Sequence, residues 1–138
     1  MRHILTSVVL LVLLFPSLAL GETVKFEDLV EREGLHYKTF TDVPFTGKVT
    51  GKRQGKLKNG KKVGPWVSYH KNGQLYEEGT FKDGKKKGPW VEYWRNGELG
   101  SKGTYKDGKG EGPWVGYHED GTVNQEWTGT FKDGKKVK

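Results

Sequence analysis

The tetrapeptide Gly-Pro-Trp-Val occurs three times, at 64–67, 88–91 and 112–115, so that Trp66, Trp90 and Trp114 recur every 24 residues. Tyr69, Tyr93 and Tyr117 keep the same spacing, as do the turn dipeptides Asn72-Gly73, Asn96-Gly97 and Asp120-Gly121. A fixed period of this size calls for one small supersecondary unit stacked on copies of itself.

Counted from the glycine ahead of each Lys-Asn/Asp-Gly turn, the units span 55–78, 79–102, 103–128 and a partial 129–138. The third is two residues longer, through Thr122–Thr128. Each full unit holds two strand candidates. In the second these are Thr80–Lys82, continuing back to Leu75, and Pro89–Arg95, separated by Asp83-Gly84 and Asn96-Gly97. Such dipeptides favour tight hairpins, because both central residues of a type I′ turn need positive φ. Hairpin after hairpin predicts an all-β, single-layered antiparallel meander.

Strand parity places Trp90, Glu92 and Trp94 on one face and Val91, Tyr93 and Arg95 on the other. On the adjoining strand Leu75, Glu77, Gly79 and Phe81 share a face. The recurring Gly79 and Gly103 leave room there for a neighbouring aromatic ring, a known repair for a weak strand. The core is thus expected to be a thin row of rings, with Trp66, Trp90 and Trp114 as rungs. Trp66 and Tyr69 stand three apart, so either both faces carry aromatics or the strand bulges between them.

The chain opens with a basic start, Arg2-His3, an apolar run Ile4–Leu14, a break at Pro16-Ser17 and small residues at Ala19 and Gly21. This is the layout of a signal peptide over 1–21. The run falls short of the ~20 residues a membrane anchor needs. The chain is therefore expected to be exported, to the periplasm or beyond, with no transmembrane segment once the leader is removed.

Residues 22–54 form a cap and first strand. Phe26, Leu29 and Val30 fit one face of a short helix ending at Gly34, but a hairpin turning at Glu33-Gly34 fits as well. A repeat stack exposes its terminal apolar face unless something covers it. Pro44 suits a strand edge, a strand runs through Phe45 and Val49, and Gly51 and Gly55 read as breaks.

With Leu two residues after Asn-Gly and Gly-Thr-Phe/Tyr-Lys-Asp-Gly-Lys beyond it, the pattern Gly-x-x-Gly-Pro-Trp-x-x-Tyr-x-x-Asn-Gly resembles the MORN-variant repeat. Leu29–Tyr37 followed by Val43–Gly47 looks like the lead-in of the same family. Proteins of this kind are often labelled YwqK-type antitoxins of toxin–antitoxin systems. The resemblance implies a β-hairpin array and no enzymatic activity, and the leading expectation for function is a scaffold that binds a protein partner in an antitoxin or immunity-like role.

Two residue sets are candidates for binding. His70, Trp94 and His118 share one repeat position just before the Asn/Asp-Gly turns and offer a line for docking a protein partner. Lys61, Lys62, Lys85, Lys86, Lys87, Lys109, Lys135 and Lys136 flank the opposite turns and form an edge for an anionic lipid or polysaccharide. A solvated rim that blocks edge pairing is the plain alternative for the lysines.

The chain has a formal net charge of +7 and no cysteine, so disulfides, thiolate catalysis and thiolate zinc sites are excluded. No catalytic triad, phosphate-cradling loop or metal-ligand spacing appears. No cofactor, metal, enzymatic activity or nucleic-acid partner is expected.

Overall fold

The computed structural model describes residues 21–138; all but the last residue of the leader segment read at 1–21 lies outside them. The chain folds as one open sheet of ten strands with a two-stranded hairpin beside it. The strands are β1 (Thr23–Lys25), β2 (Leu29–Arg32), β3 (Leu35–Lys38), β4 (Gly47–Thr50), β5 (Arg53–Lys58) and β6 (Lys61–Tyr69). They continue as β7 (Leu75–Lys82), β8 (Lys85–Tyr93), β9 (Leu99–Lys106), β10 (Lys109–Gly116), β11 (Gly129–Lys132) and β12 (Lys135–Lys136). From β4 to β12 each strand pairs antiparallel with the next, a single-layered meander. The exception is β1, which lies parallel to β4.

The cap combines parts of both readings of residues 24–35. A 3₁₀ turn, Phe26–Asp28, directs Phe26 inward, and β2–β3 then forms a hairpin through Glu33-Gly34. The i, i+3 pair is therefore real, since Phe26 and Leu29 both pack on the buried cluster Phe45, Val49, Leu57 and Trp66. Val30 instead faces solvent. The buried His36 locks the cap to the array: its backbone N–H and its Nδ1 both donate to the Gly60 carbonyl, at 2.9 and 3.0 Å. A carbonyl can only accept, so Nδ1 carries the proton.

Gly51 breaks the chain between β4 and β5 as expected, but Gly55 does not; it lies inside β5. The reason is steric. A Cβ on Gly55 would come within 2.4 Å of the Trp66 ring. Gly79 and Gly103 stand in the same relation to Trp90 and Trp114, at 2.3 and 2.0 Å. Each of these three glycines is thus the floor beneath one tryptophan.

A bulge delivers the ring to that floor. Glu78 pairs with Val91 and Thr80 with Lys87, so Gly79 alone faces Gly88, Pro89 and Trp90. The extra residues are accommodated by Gly88 at φ +75°, a conformation that glycine adopts at little cost. Pro89 sits in the bulge, where a missing donor does least harm. The strand accordingly begins at Lys85, four residues before the expected Pro89, and ends at Tyr93.

The two sheet borders use different turns. At Asp83-Gly84 both φ values are positive, +49° and +81°, the type I′ signature. At Asn72-Gly73 and Asn96-Gly97 only the glycine is positive. There the asparagine side chain accepts from the backbone two residues on, Asn72 Oδ1 from Gln74 N–H at 3.0 Å. These loops are wider than the tight hairpins their sequence suggested, because an Asx contact stabilises a different backbone.

Between Gly64 and Ser68, β6 pairs residue for residue with β7, and the register shifts only at Tyr69. Alternation therefore holds from Trp66 to Tyr69, and aromatics occur on both faces.

Candidate functional site

One sheet face carries a continuous edge-to-face file of rings: Phe26, Trp66, Phe81, Trp90, Tyr105, Trp114 and Phe131. Centroid separations run from 5.0 to 6.5 Å and interplanar angles from 74° to 90°, the arrangement that ring quadrupoles favour. The tryptophan N–H groups are satisfied in one repeated way. Trp66, Trp90 and Trp114 donate to the carbonyls of Lys56, Thr80 and Thr104 at 3.1, 3.3 and 3.1 Å. Trp66 and Trp90 are 3% and 2% exposed, while Trp114, nearer the open end, is half-buried. The second and third units each contribute one indole and one further ring, the first unit Trp66 and the fourth Phe131.

Two lysines read from sequence as border residues lie in this file instead. Lys62 and Lys86 share the strand parity of Trp66 and Trp90 and are half-buried among the rings. Lys86 Nζ is 4.0 Å from the Trp90 centroid and 5.2 Å from that of Tyr105. Lys62 Nζ stands 4.9 to 5.6 Å from Phe26, Trp66 and Phe81. Lys86 also resolves a conflict within the sheet. Glu77 and Glu92 are direct cross-strand partners, a destabilising like-charge pair, and the Lys86 ammonium bridges them at 3.1 and 4.0 Å.

Burial pushes the Lys62 ammonium below the ordinary lysine value of 10.5, and Arg53 pushes it the same way. The folded chain therefore holds this proton less tightly than the unfolded chain. Between the lowered folded value and 10.5 the unfolded state binds more protons, so stability rises with pH there. Burial raises Tyr105 above its ordinary 10.0. That shift has the opposite effect, costing stability above pH 10.0 as the unfolded phenol ionises first. Urea melts on the alkaline side up to pH 10.0 should show stability climbing in the native chain and flatter in Lys62→Met. Parallel curves would refute the assignment.

The border at the type I′ turns is strongly cationic. Lys58 pairs directly with Lys61, Lys82 with Lys85, Lys106 with Lys109 and Lys132 with Lys135. Opposed like charges at every hairpin end cost stability. Among the described residues, Lys86 is the one lysine of this region with a carboxylate in ion-pair range. The hairpin ends stack, with Gly84, Gly108 and Gly134 N–H donating to the carbonyls of Lys62, Lys86 and Gly110 at 2.9, 3.0 and 2.9 Å. Between them lies a groove of about 730 Å³ whose lining includes Lys61, Lys82, Lys85, Lys87 and Lys106, with Asp83, Asp107 and Glu111 among them. Lys109, Lys135 and Lys136 continue the series, with Lys136 Nζ held on the Gln125 carbonyl.

His70, Trp94 and His118 fall just beyond the strand ends, in the wide loops. His70 Nε2 donates to the Tyr93 carbonyl at 2.7 Å and Trp94 Nε1 to the Tyr117 carbonyl at 3.0 Å. Asn72 and Asn96 reach the Arg95 and Glu119 carbonyls at 2.9 and 3.0 Å. Both ladders tie each repeat to the next. His118, exposed, ends the series. Among the described residues no three His, Asp or Glu side chains gather as a metal site.

Trp127 is an exposed ring that the 24-residue period does not place. The two extra residues of the third unit form a second small turn, with Trp127 N–H on the Asn124 carbonyl and Gly116 N–H on Thr128 Oγ1. The Trp127 side chain is left 51% exposed beside the aromatic file. The available signal was a tryptophan outside the 24-residue period.

The family model of the MORN repeat variant matches residues 62–83 and 86–107. Each match covers one hairpin closed by a wide loop, β6–β7 and then β8–β9. No curated protein matches the chain. Repeat pattern, hairpin geometry and family match agree that the chain is a scaffold of stacked β-hairpins.

Proposed function

We propose that the chain is an exported, non-catalytic binding scaffold whose lysine border docks an anionic envelope surface, lipid headgroups or acidic glycan. The observation that carries this reading is the set of four directly opposed lysine pairs. Opposed lysines cost the fold stability, whereas an anionic surface converts that repulsion into attraction. Successive hairpin ends stand two strands, about 10 Å, apart, close to one Debye length at physiological salt. Their fields therefore add along the border. The leader layout supports export.

The test is sedimentation with vesicles of phosphatidylglycerol, against phosphatidylcholine as the neutral control. Binding to the anionic vesicles should fall steeply with salt. Replacing Lys82 and Lys85 by Gln should weaken it about 30-fold, at ~1 kcal/mol per lysine near such a surface. Equal binding to both vesicle types would sink the reading.

A second reading, docking of a protein partner in an antitoxin or immunity role, is favoured by the exposed Trp127 at the open end of the aromatic file. It moves the docking surface away from His70 and Trp94, whose polar atoms already hold the next repeat. Retrieval of one partner by the native chain, lost in Trp127→Ala but kept in the lysine variant, would favour it over the border.

A further inference from the structure

Lys62 and Lys86, the two lysines that enter the aromatic file, occupy one repeat position, which Lys136 shares without entering the file. Lys62 pairs with Leu57, Lys86 with Phe81 and Lys136 with Phe131. The same position in the third unit pairs with Tyr105 and is Gly110. The sequence thus keeps the rings on both sides, Tyr105, Trp114 and Phe131, and deletes the ammonium that would lie among them.

A cavity of about 420 Å³ remains there. Its walls include Tyr105, Trp114, Trp127 and Phe131, with Glu92, Ser101 and Glu126 as polar lining. Two repeats show what such a chamber holds. Lys86 Nζ is 4.0 Å from one ring centroid, 5.2 Å from another and 3.1 Å from a carboxylate. Ring faces and carboxylates together select a cation and reject an anion.

The chain's own neighbouring amines are placed elsewhere. Lys109, also at the cavity wall, has the opposite strand parity from Gly110, and its stem lies against Gly134. Lys136 lays its stem over Gly129 and its ammonium on Gln125.

We propose that this cavity is a binding site for an alkylammonium group, the end of a lysine side chain presented by a protein partner. A lysine is the occupant because lysine is what the same rings accept in the first and second units. The site adjoins the lysine border at Lys109, but its rings and carboxylates do not depend on anionic docking.

The test is an NMR titration of the full chain with Nα-acetyl-lysine methylamide, following the indole N–H signals. The norleucine analogue, which keeps the alkyl stem and lacks the ammonium, is the control. The lysine probe should shift Trp114 and Trp127 saturably and leave Trp66 and Trp90 in place. The norleucine probe should bind about tenfold more weakly. Gly110→Lys should abolish the shifts by filling the cavity from within. A Cβ at Gly110 meets Trp114 Nε1 at 3.2 Å, so the ring must yield by a few tenths of an ångström. Should Gly110→Lys lose its native spectrum, Glu126→Gln carries the test with an expected several-fold loss of affinity. Equal binding of the two probes, shifts spread over all the tryptophans, or undiminished binding in the folded Gly110→Lys chain (or, failing that, in Glu126→Gln) would overturn the proposal.

Discussion

Replacing Trp90 by Ala is expected to lower the unfolding free energy by about 3–5 kcal/mol, the range for deleting a large aromatic from a packed core. Trp90 is 2% exposed and lies midway along the file, edge to face with Phe81 at 5.2 Å and Tyr105 at 5.9 Å. It covers Gly79, and its N–H satisfies the Thr80 carbonyl. Its face also holds the Lys86 ammonium, so the substitution weakens the bridge between Glu77 and Glu92. The loss is a large part of the roughly 5–15 kcal/mol that stabilises a small domain. In a linear stack each repeat leans only on its neighbours. Removing a central rung should therefore also separate the two halves, giving a broadened or two-step urea transition. Trp114→Ala removes a half-exposed ring nearer the open end and should cost visibly less. Equal losses at the two positions would show that place in the file does not govern stability.

Much of this architecture was legible because the repeat constrains local and non-local structure together. A glycine recurring at the period of the aromatics marks a space that a ring can fill, so a ring over Gly79 could be read without coordinates, and the structure shows it to be Trp90. The Asp83-Gly84 turn was equally plain, since its dipeptide dictates the backbone. The misreadings have physical causes. Lys62 and Lys86 were assigned to the border because charge suggests solvent, yet their parity with Trp66 and Trp90 points inward, and a lysine stem packs well along rings while its ammonium rests on their faces. The bonds of His70 and Trp94 to carbonyls one repeat away were not legible. Such bonds depend on how the wide loops stack, which strand parity does not address. The parallel contact of β1 with β4 had no local signal either.

The strand glycines supply the sharper test of the file. Gly79→Val places a Cβ where the Trp90 ring now lies, 2.3 Å from its nearest atom. Overpacking alone commonly costs about 1–3 kcal/mol. Here the obstacle is an indole held by two flanking rings and a backbone carbonyl, so relief requires Trp90 to leave its seat. The expected loss then approaches that of Trp90→Ala, about 3–5 kcal/mol. The reasoning extends to the pair. Once Trp90 is an alanine, a valine at position 79 has nothing to displace and improves the intrinsic strand preference of that site. The double variant should therefore be no less stable than Trp90→Ala alone, a coupling of several kcal/mol between residues that a distant pair would not show. Urea unfolding of the two single variants and the double variant measures it. Simple additivity of the two losses would mean that Gly79 is kept for some property of its backbone, and not as the floor under the indole.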